Sequence, residues 1–166
     1  MNNPATLLAQ RLIRNFEQVE KIHDSRPPLY DSLGARLGTG TAAGKLGASI
    51  DIVAPGMRSC PYHFHYAQEE MFIVLEGTGT LRVAGEQLPI KSGDVIFIPP
   101  GPEYPHQIIN TSEAPLKYLS ISTREQPELV EYPDSGKFQA TALHEGKAVH
   151  YVQRPSASLD YWQDEP

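Results

Sequence analysis

The sequence predicts an all-β domain, and three observations carry that reading. From about residue 33 to 123, short apolar runs alternate with turn clusters at a regular spacing. Fifteen prolines and thirteen glycines are scattered along the chain rather than gathered in one tract, as a chain of many turns requires. The connections leave no room for crossover helices, so the strands must form a β-sandwich or a barrel. At 166 residues, 40% hydrophobic and 20% charged, the chain has the size and composition of one globular domain with a real core.

Taken in order, the elements divide the chain into three parts. Residues 1–30 are an N-terminal arm. Within it, residues 4–22 have helical character: Leu7, Leu8, Arg11 and Leu12 follow Asn3-Pro4, a cap with proline in the first turn. Asp24-Ser25-Arg26-Pro27-Pro28 ends that passage. Residues 31–123 are the β-domain, with apolar runs GASIDIV, EEMFIVLEG, TLRV, LPI, VIFIP, HQIIN and LKYLSIST. Gly93-Asp94 is expected to turn the chain into VIFIP, and Gly77 to close the strand that begins at Glu70. Residues 124–166 are polar with few β-runs and read as a C-terminal extension packed on the outside, with Tyr161 and Trp162 as anchors.

Charge and cysteine content exclude several functions. A net charge of −6 with no basic cluster argues against nucleic acid, whose binding rests on neutralising phosphates. No apolar run is long enough to span a bilayer. Arg11 and Arg14 interrupt the N-terminal apolar residues, so no signal peptide is expected. One cysteine, Cys60, permits no intrachain disulfide and makes a cytoplasmic setting the expectation. Cys60 itself reads as a small packing residue.

The chemistry concentrates in residues 61–77, PYHFHYAQEEMFIVLEG. On a strand, His63 and His65 point to one face and Phe64 to the other, with the two imidazoles about 7 Å apart along the strand. They can converge on one ion. Glu70-Met71-Phe72-Ile73-Val74-Leu75 reads as the strand returning beside them, and a carboxylate at its start, Glu69 or Glu70, can reach the same ion. His106, after Pro99-Pro100-Gly101-Pro102 and before Ile108-Ile109, is the candidate from elsewhere in the domain. Phe72, Val74 and Ile108 share the parity of Glu70 and His106 and are candidate pocket residues. Tyr104 is a candidate gate at the mouth. His23, His144 and His150 have no motif around them.

These residues fall into two ordered motifs, and on them the chain resembles the cupins. The first motif is Gly56, His63-x-His65, Glu70 and Gly77, with six residues between Gly56 and His63, one more than is usual. The second is Gly93, Pro99-x-Gly101, His106 and Asn110, with four residues rather than two between Gly101 and His106. The resemblance selects Glu70 over Glu69. It implies a double-stranded β-helix, or jelly-roll barrel, holding a divalent transition metal (iron, manganese, nickel or zinc) on His63, His65, Glu70 and His106. The whole chain is similar to small bacterial single-domain cupins of unassigned activity.

Such a centre leaves coordination positions for a small organic molecule. It suits a metal-dependent enzyme of dioxygenase type or of isomerase or lyase type. The alternative is a non-catalytic small-molecule-binding barrel, its metal structural or absent. Arg82, Lys91 and Lys117 read as outward, which argues against phosphorylated substrates. The partners expected are a small-molecule ligand and a second copy of the chain, because small barrels expose sheet edges that pairing covers. Neither nucleic acid nor a membrane is expected.

Overall fold

The computed structural model describes residues 3–156 and 158–166. It contains one short helix, α1 (Pro4–Leu12), and strands in three antiparallel sheets. The six-stranded sheet is built from β1 (Ile22–Arg26), β2 (Tyr30–Arg36), β3 (Leu46–Val53), β5 (Glu70–Glu76), β8 (Val95–Ile98) and β10 (Leu116–Thr123), in the order β1-β2-β3-β10-β5-β8. A three-stranded sheet, β7-β6-β9, faces it, from β6 (Thr78–Val83), β7 (Glu86–Lys91) and β9 (His106–Ile109). The third sheet, β13-β12-β11-β4, joins β4 (Phe64–His65) to β11 (Glu128–Tyr132), β12 (Lys137–His144) and β13 (Lys147–Gln153). The all-β jelly-roll expected from the sequence is the architecture found.

Strand alternation puts the core between the first two sheets. Along β5, Glu70, Phe72 and Val74 are buried while Met71, Ile73 and Leu75 are half-buried, the period of two that one covered face imposes. Phe72 and Val74 meet Val53, Leu116, Tyr118 and Ile98 from their own sheet and Leu81, Ile90 and Ile108 from the facing one. Each such buried apolar side chain contributes roughly 1.5–3 kcal/mol.

The turns hold the sheets in register. At Gly93 (φ +92°) the backbone is left-handed, and Lys91 N donates to Asp94 Oδ2 at 2.8 Å. Gly77 (φ +85°) passes so close to β10 that a Cβ there would lie 2.5 Å from the Pro115 carbonyl oxygen. Asn110, fully buried, donates from Nδ2 to the carbonyls of Val53 and Ala114 at 2.9 and 2.8 Å. It thereby ties β9 to the end of β3.

Four expectations are corrected. The helix stops at Leu12 instead of running toward residue 22, because Ile13 is already extended (φ −116°, ψ 132°) and residues 15–19 form a turn. β4 and β5 do not form a hairpin. Both edges of β5 are occupied, by β10 and β8, and β4 pairs instead with β11, with His65 opposite Val130 and Phe64 opposite Glu131. Residues 124–166 contain three strands rather than few β-runs, and β11 joins them to the barrel through β4. Tyr161 and Trp162 are 83% and 72% exposed and pack edge-to-face on each other, so they anchor nothing. No helix among the described residues is long and apolar enough to cross a membrane.

Candidate metal centre

Four side chains from three sheets meet at one end of the barrel. Glu70 opens β5, His106 opens β9, His63 lies just before β4 and His65 ends it. His63 and His106 are fastened to each other by a backbone bridge: His106 N donates to His63 O at 2.8 Å, and His63 N to His106 O at 3.1 Å. That bridge brings the two imidazoles to a centroid distance of 4.7 Å, and His65 lies 5.0 Å from His63. Phe64, between the histidines, points away and packs on Tyr66, as strand alternation requires.

All three Nε2 atoms converge on one oxygen. Glu70 Oε2 is 2.8 Å from His106 Nε2, 3.4 Å from His65 Nε2 and 3.8 Å from His63 Nε2. The side chains are only 2–14% exposed. Two of the rings have their other nitrogen held: His63 Nδ1 donates to the Pro61 carbonyl at 2.8 Å and His106 Nδ1 to the Tyr104 carbonyl at 3.2 Å. A carbonyl only accepts, so those rings carry the proton on Nδ1 and turn the Nε2 lone pair inward.

The longer segment between Gly101 and His106 is accommodated by local structure. Gly101 N donates to His65 O at 2.8 Å and Tyr104 N to Gly101 O at 3.3 Å, closing a turn before β9. His106 accordingly reaches Glu70, and its ring packs 5.7 Å from that of Phe72.

The inward atoms have the chemistry of a ligand set. His65 Nε2, His106 Nε2 and Glu70 Oε2 are buried and make no well-formed hydrogen bond. Buried polar atoms left unpaired are costly, and lone pairs aimed at a common point are what a divalent cation satisfies. Ligand atoms of His63, Glu70 and His106 all lie within 4.8 Å of one another, and His65 adjoins that group through Glu70. Burial works against the charge on Glu70, but His106 and His65 outweigh it and hold the carboxyl below its usual range. Burial, and then the neighbouring His106, bring His63 down to about 4, so it stands neutral and ready to ligate at ordinary pH. For His65, burial is outweighed by Glu70 and Glu128, and its pKa is raised.

The other candidates from the sequence lie around this cluster. Phe72 abuts His106, whereas Val74 and Ile108 are 1% and 2% exposed within the hydrophobic core. Tyr104 is 43% exposed on the loop before β9. Glu69 is exposed. Cys60 is half-buried, and burial followed by the charge of Glu70 pushes its thiol up to about 12. His23 pairs with Asp31 at 3.0 Å, and His144 and His150 are exposed.

Two neighbours were not read from the sequence. Glu128 lies against His65, its Oε1 3.5 Å from Nδ1, and Tyr132 stacks on His63 at 6.1 Å. Both belong to β11. Nothing in ELVEY distinguishes this strand from a surface one, because its pairing with β4 is set by tertiary structure alone.

Comparison with known proteins agrees with this fold. Residues 49–122 match the cupin domain family. An uncharacterised protein of Methanocaldococcus jannaschii is 40% identical over 73 residues, covering 42% of this chain and 57% of that protein. The oxalate-binding protein of Thermotoga maritima is 34% identical over 67 residues, 40% of this chain and 54% of that protein. The chain thus spans little more than half the length of the curated relatives it matches. Among solved structures, a provisionally assigned sugar phosphate isomerase of Acidithiobacillus ferrooxidans superposes with a TM-score of 0.73 at 26% identity, covering 86% of this chain and 92% of that one.

Proposed function

Because the chain carries a cupin domain at residues 49–122, we propose that it is a metal-dependent enzyme acting on a small organic molecule. His63, His65, Glu70 and His106 hold one divalent transition ion. The observation that carries this is the convergence of three imidazole Nε2 atoms on Glu70 Oε2, with the Nε2 atoms of His65 and His106 and Oε2 itself buried and without a hydrogen-bond partner. Bound there, the ion supplies Lewis acidity or, if it is a redox metal, oxygen activation. The protein's own part is to fix the donors before the ion arrives. Phe72 beside His106 and Tyr132 beside His63 wall the site and limit its access to water. The low exposure of the ligands suits a small substrate offering oxygen donors.

Isomerase or lyase chemistry is the first reading, supported by likeness to the provisionally assigned sugar phosphate isomerase. The phosphate is not carried over. Arg82 is paired with Asp134, Lys91 with Asp94, and Lys117 with Glu17 and Glu76, which leaves none of these three cations for a phosphoryl group. A second reading, binding without turnover, is favoured by the similarity to an oxalate-binding protein. We propose further that the chain is a homodimer, since no residue of α1 is buried in its own chain, and that it is cytoplasmic, on its single cysteine; light scattering would give the mass.

Elemental analysis of native protein and of a His63→Ala/His65→Ala variant tests the reading. About one iron, manganese, nickel or zinc per native chain is expected, and loss of it in the variant. Oxygen uptake would then point to a dioxygenase, and NMR of candidate hydroxy-acids and sugars would reveal isomerisation. Protein that takes up no metal even after reloading would exclude a metalloenzyme.

A further inference from the structure

We infer that strand β11 completes the metal centre from outside the family-matched segment, with Glu128 as the positioning residue for the imidazole of His65. The inference rests on the metal-centre reading above and goes beyond its four ligands. In β11, Val130 stands opposite His65 and Glu131 opposite Phe64. Glu128, Val130 and Tyr132 therefore share one strand face. The face ends in Glu128 against His65 and in Tyr132 against His63.

His65 differs from the other two histidines in what it lacks. His63 and His106 are each oriented by the carbonyl two residues before them, Pro61 and Tyr104. The equivalent carbonyl for His65 belongs to His63, and it already accepts His106 N at 2.8 Å. The acceptor facing His65 Nδ1 is instead Glu128 Oε1, at 3.5 Å. Its carboxylate accepts Tyr66 N on Oε1 at 3.1 Å and Gln68 N on Oε2 at 2.9 Å. The same side chain thus holds the segment that joins His65 to Glu70 and sets an acceptor beside the ring, whose Nδ1 is buried with no other partner.

Charge supports the same role. Glu128 is 5% exposed, and no lysine or arginine among the described residues pairs with it. A buried carboxylate without a cation is costly. A divalent ion with one carboxylate ligand carries a net charge of +1, which Glu128 neutralises across the imidazole. A carboxylate behind a ligating histidine also raises the ligand's basicity and fixes its tautomer.

The test compares Mn²⁺ and Co²⁺ affinity of the full chain with that of Glu128→Gln and of Glu131→Gln, each checked for its metal-free Tm. Glu131 lies on the same strand but its side chain bonds Tyr66 Oη on an exposed face. Glu128→Gln is expected to weaken both metals about 10- to 100-fold and to shift the visible Co²⁺ spectrum, with Glu131→Gln unchanged. Unaltered affinity in Glu128→Gln overturns the inference. Equal loss in both variants overturns it too, since the effect would then be strand stability. If wild-type protein binds neither metal, the metal-centre reading itself falls and takes this inference with it. Should Glu128→Gln not fold, NMR of zinc-loaded wild type decides: a slowly exchanging His65 Nδ1 proton supports the inference, and its absence overturns it.

Discussion

Asn110 and Cys60 each have a measurable consequence. The side chain of Asn110 makes four hydrogen bonds near the start of β10, at the end away from Glu70: two given to Val53 and Ala114 carbonyls, two taken from Ser112 N and Oγ. Asn110→Ala removes that donor from the Val53 carbonyl in a fully buried site, while Ala114 O keeps Ser112 Oγ, so a loss of about 2 kcal/mol is expected in urea unfolding. Asn110→Asp should be no better, because an acceptor would then face two carbonyl oxygens. A loss below about 1 kcal/mol would mean that water replaces the amide. Cys60 makes the opposite kind of prediction. With its thiol pushed up to about 12, the thiolate fraction at pH 8 is on the order of one in ten thousand, against roughly a quarter for a free cysteine. Thiol reagents should therefore label native protein about a thousandfold more slowly than urea-unfolded protein. Comparable rates would show that Cys60 is neither shielded by burial nor opposed by Glu70.

At the scale of elements, the turn at Gly77 separates conformational strain from steric conflict. Gly77 and Gly85 have the same φ, +85°, but a Cβ on Gly85 meets nothing within 4 Å whereas one on Gly77 meets the Pro115 carbonyl oxygen at 2.5 Å. Gly85→Ala should cost about 1 kcal/mol, the strain of left-handed backbone. Gly77→Ala should cost about 3 kcal/mol or more, because β5 and β10 must also part. Equal costs would mean the turn can shift without disturbing the sheet. Gly77 was legible because a strand end must reverse before TGT, and His63 with His65 because alternation alone places them on one face. The partner of β4 was not legible. Two-residue strands carry no hydrophobic pattern, and the choice of β11 over β5 follows from β5 having no free edge. β13 is illegible for a related reason: every residue of it is exposed, so no period of two marks it as a strand. Glu128 went unread with β11, since a glutamate at the start of a polar strand becomes a buried one only when His65 is laid against it.

The molecule as a whole depends on how its three sheets are joined at the end where the ligands lie. The hydrophobic core binds the six-stranded sheet to the three-stranded one, but the four-stranded sheet attaches mainly through β4, which gives it two paired residues. The ligand set spans all three, with Glu70 from the first, His106 from the second and His65 from the third. An ion held there is therefore a cross-link as well as a reagent, and it binds only the folded arrangement. At a hundredfold excess over its Kd, a ligand of that kind contributes about 2.7 kcal/mol, equivalent to a rise in Tm of about 5–10 °C for a chain of this size. Calorimetry of chelated and Mn²⁺- or Zn²⁺-loaded protein should show that rise, and excess chelator should abolish it. The gain should vanish in Glu70→Gln, which removes the ligand common to all three imidazoles. Hydrogen exchange of the metal-free protein should find β11–β13 opening before the core sheets, and metal should slow β11 most. If metal raises Tm without protecting β11, the ion is held by the two core sheets alone and His65 is not among its ligands.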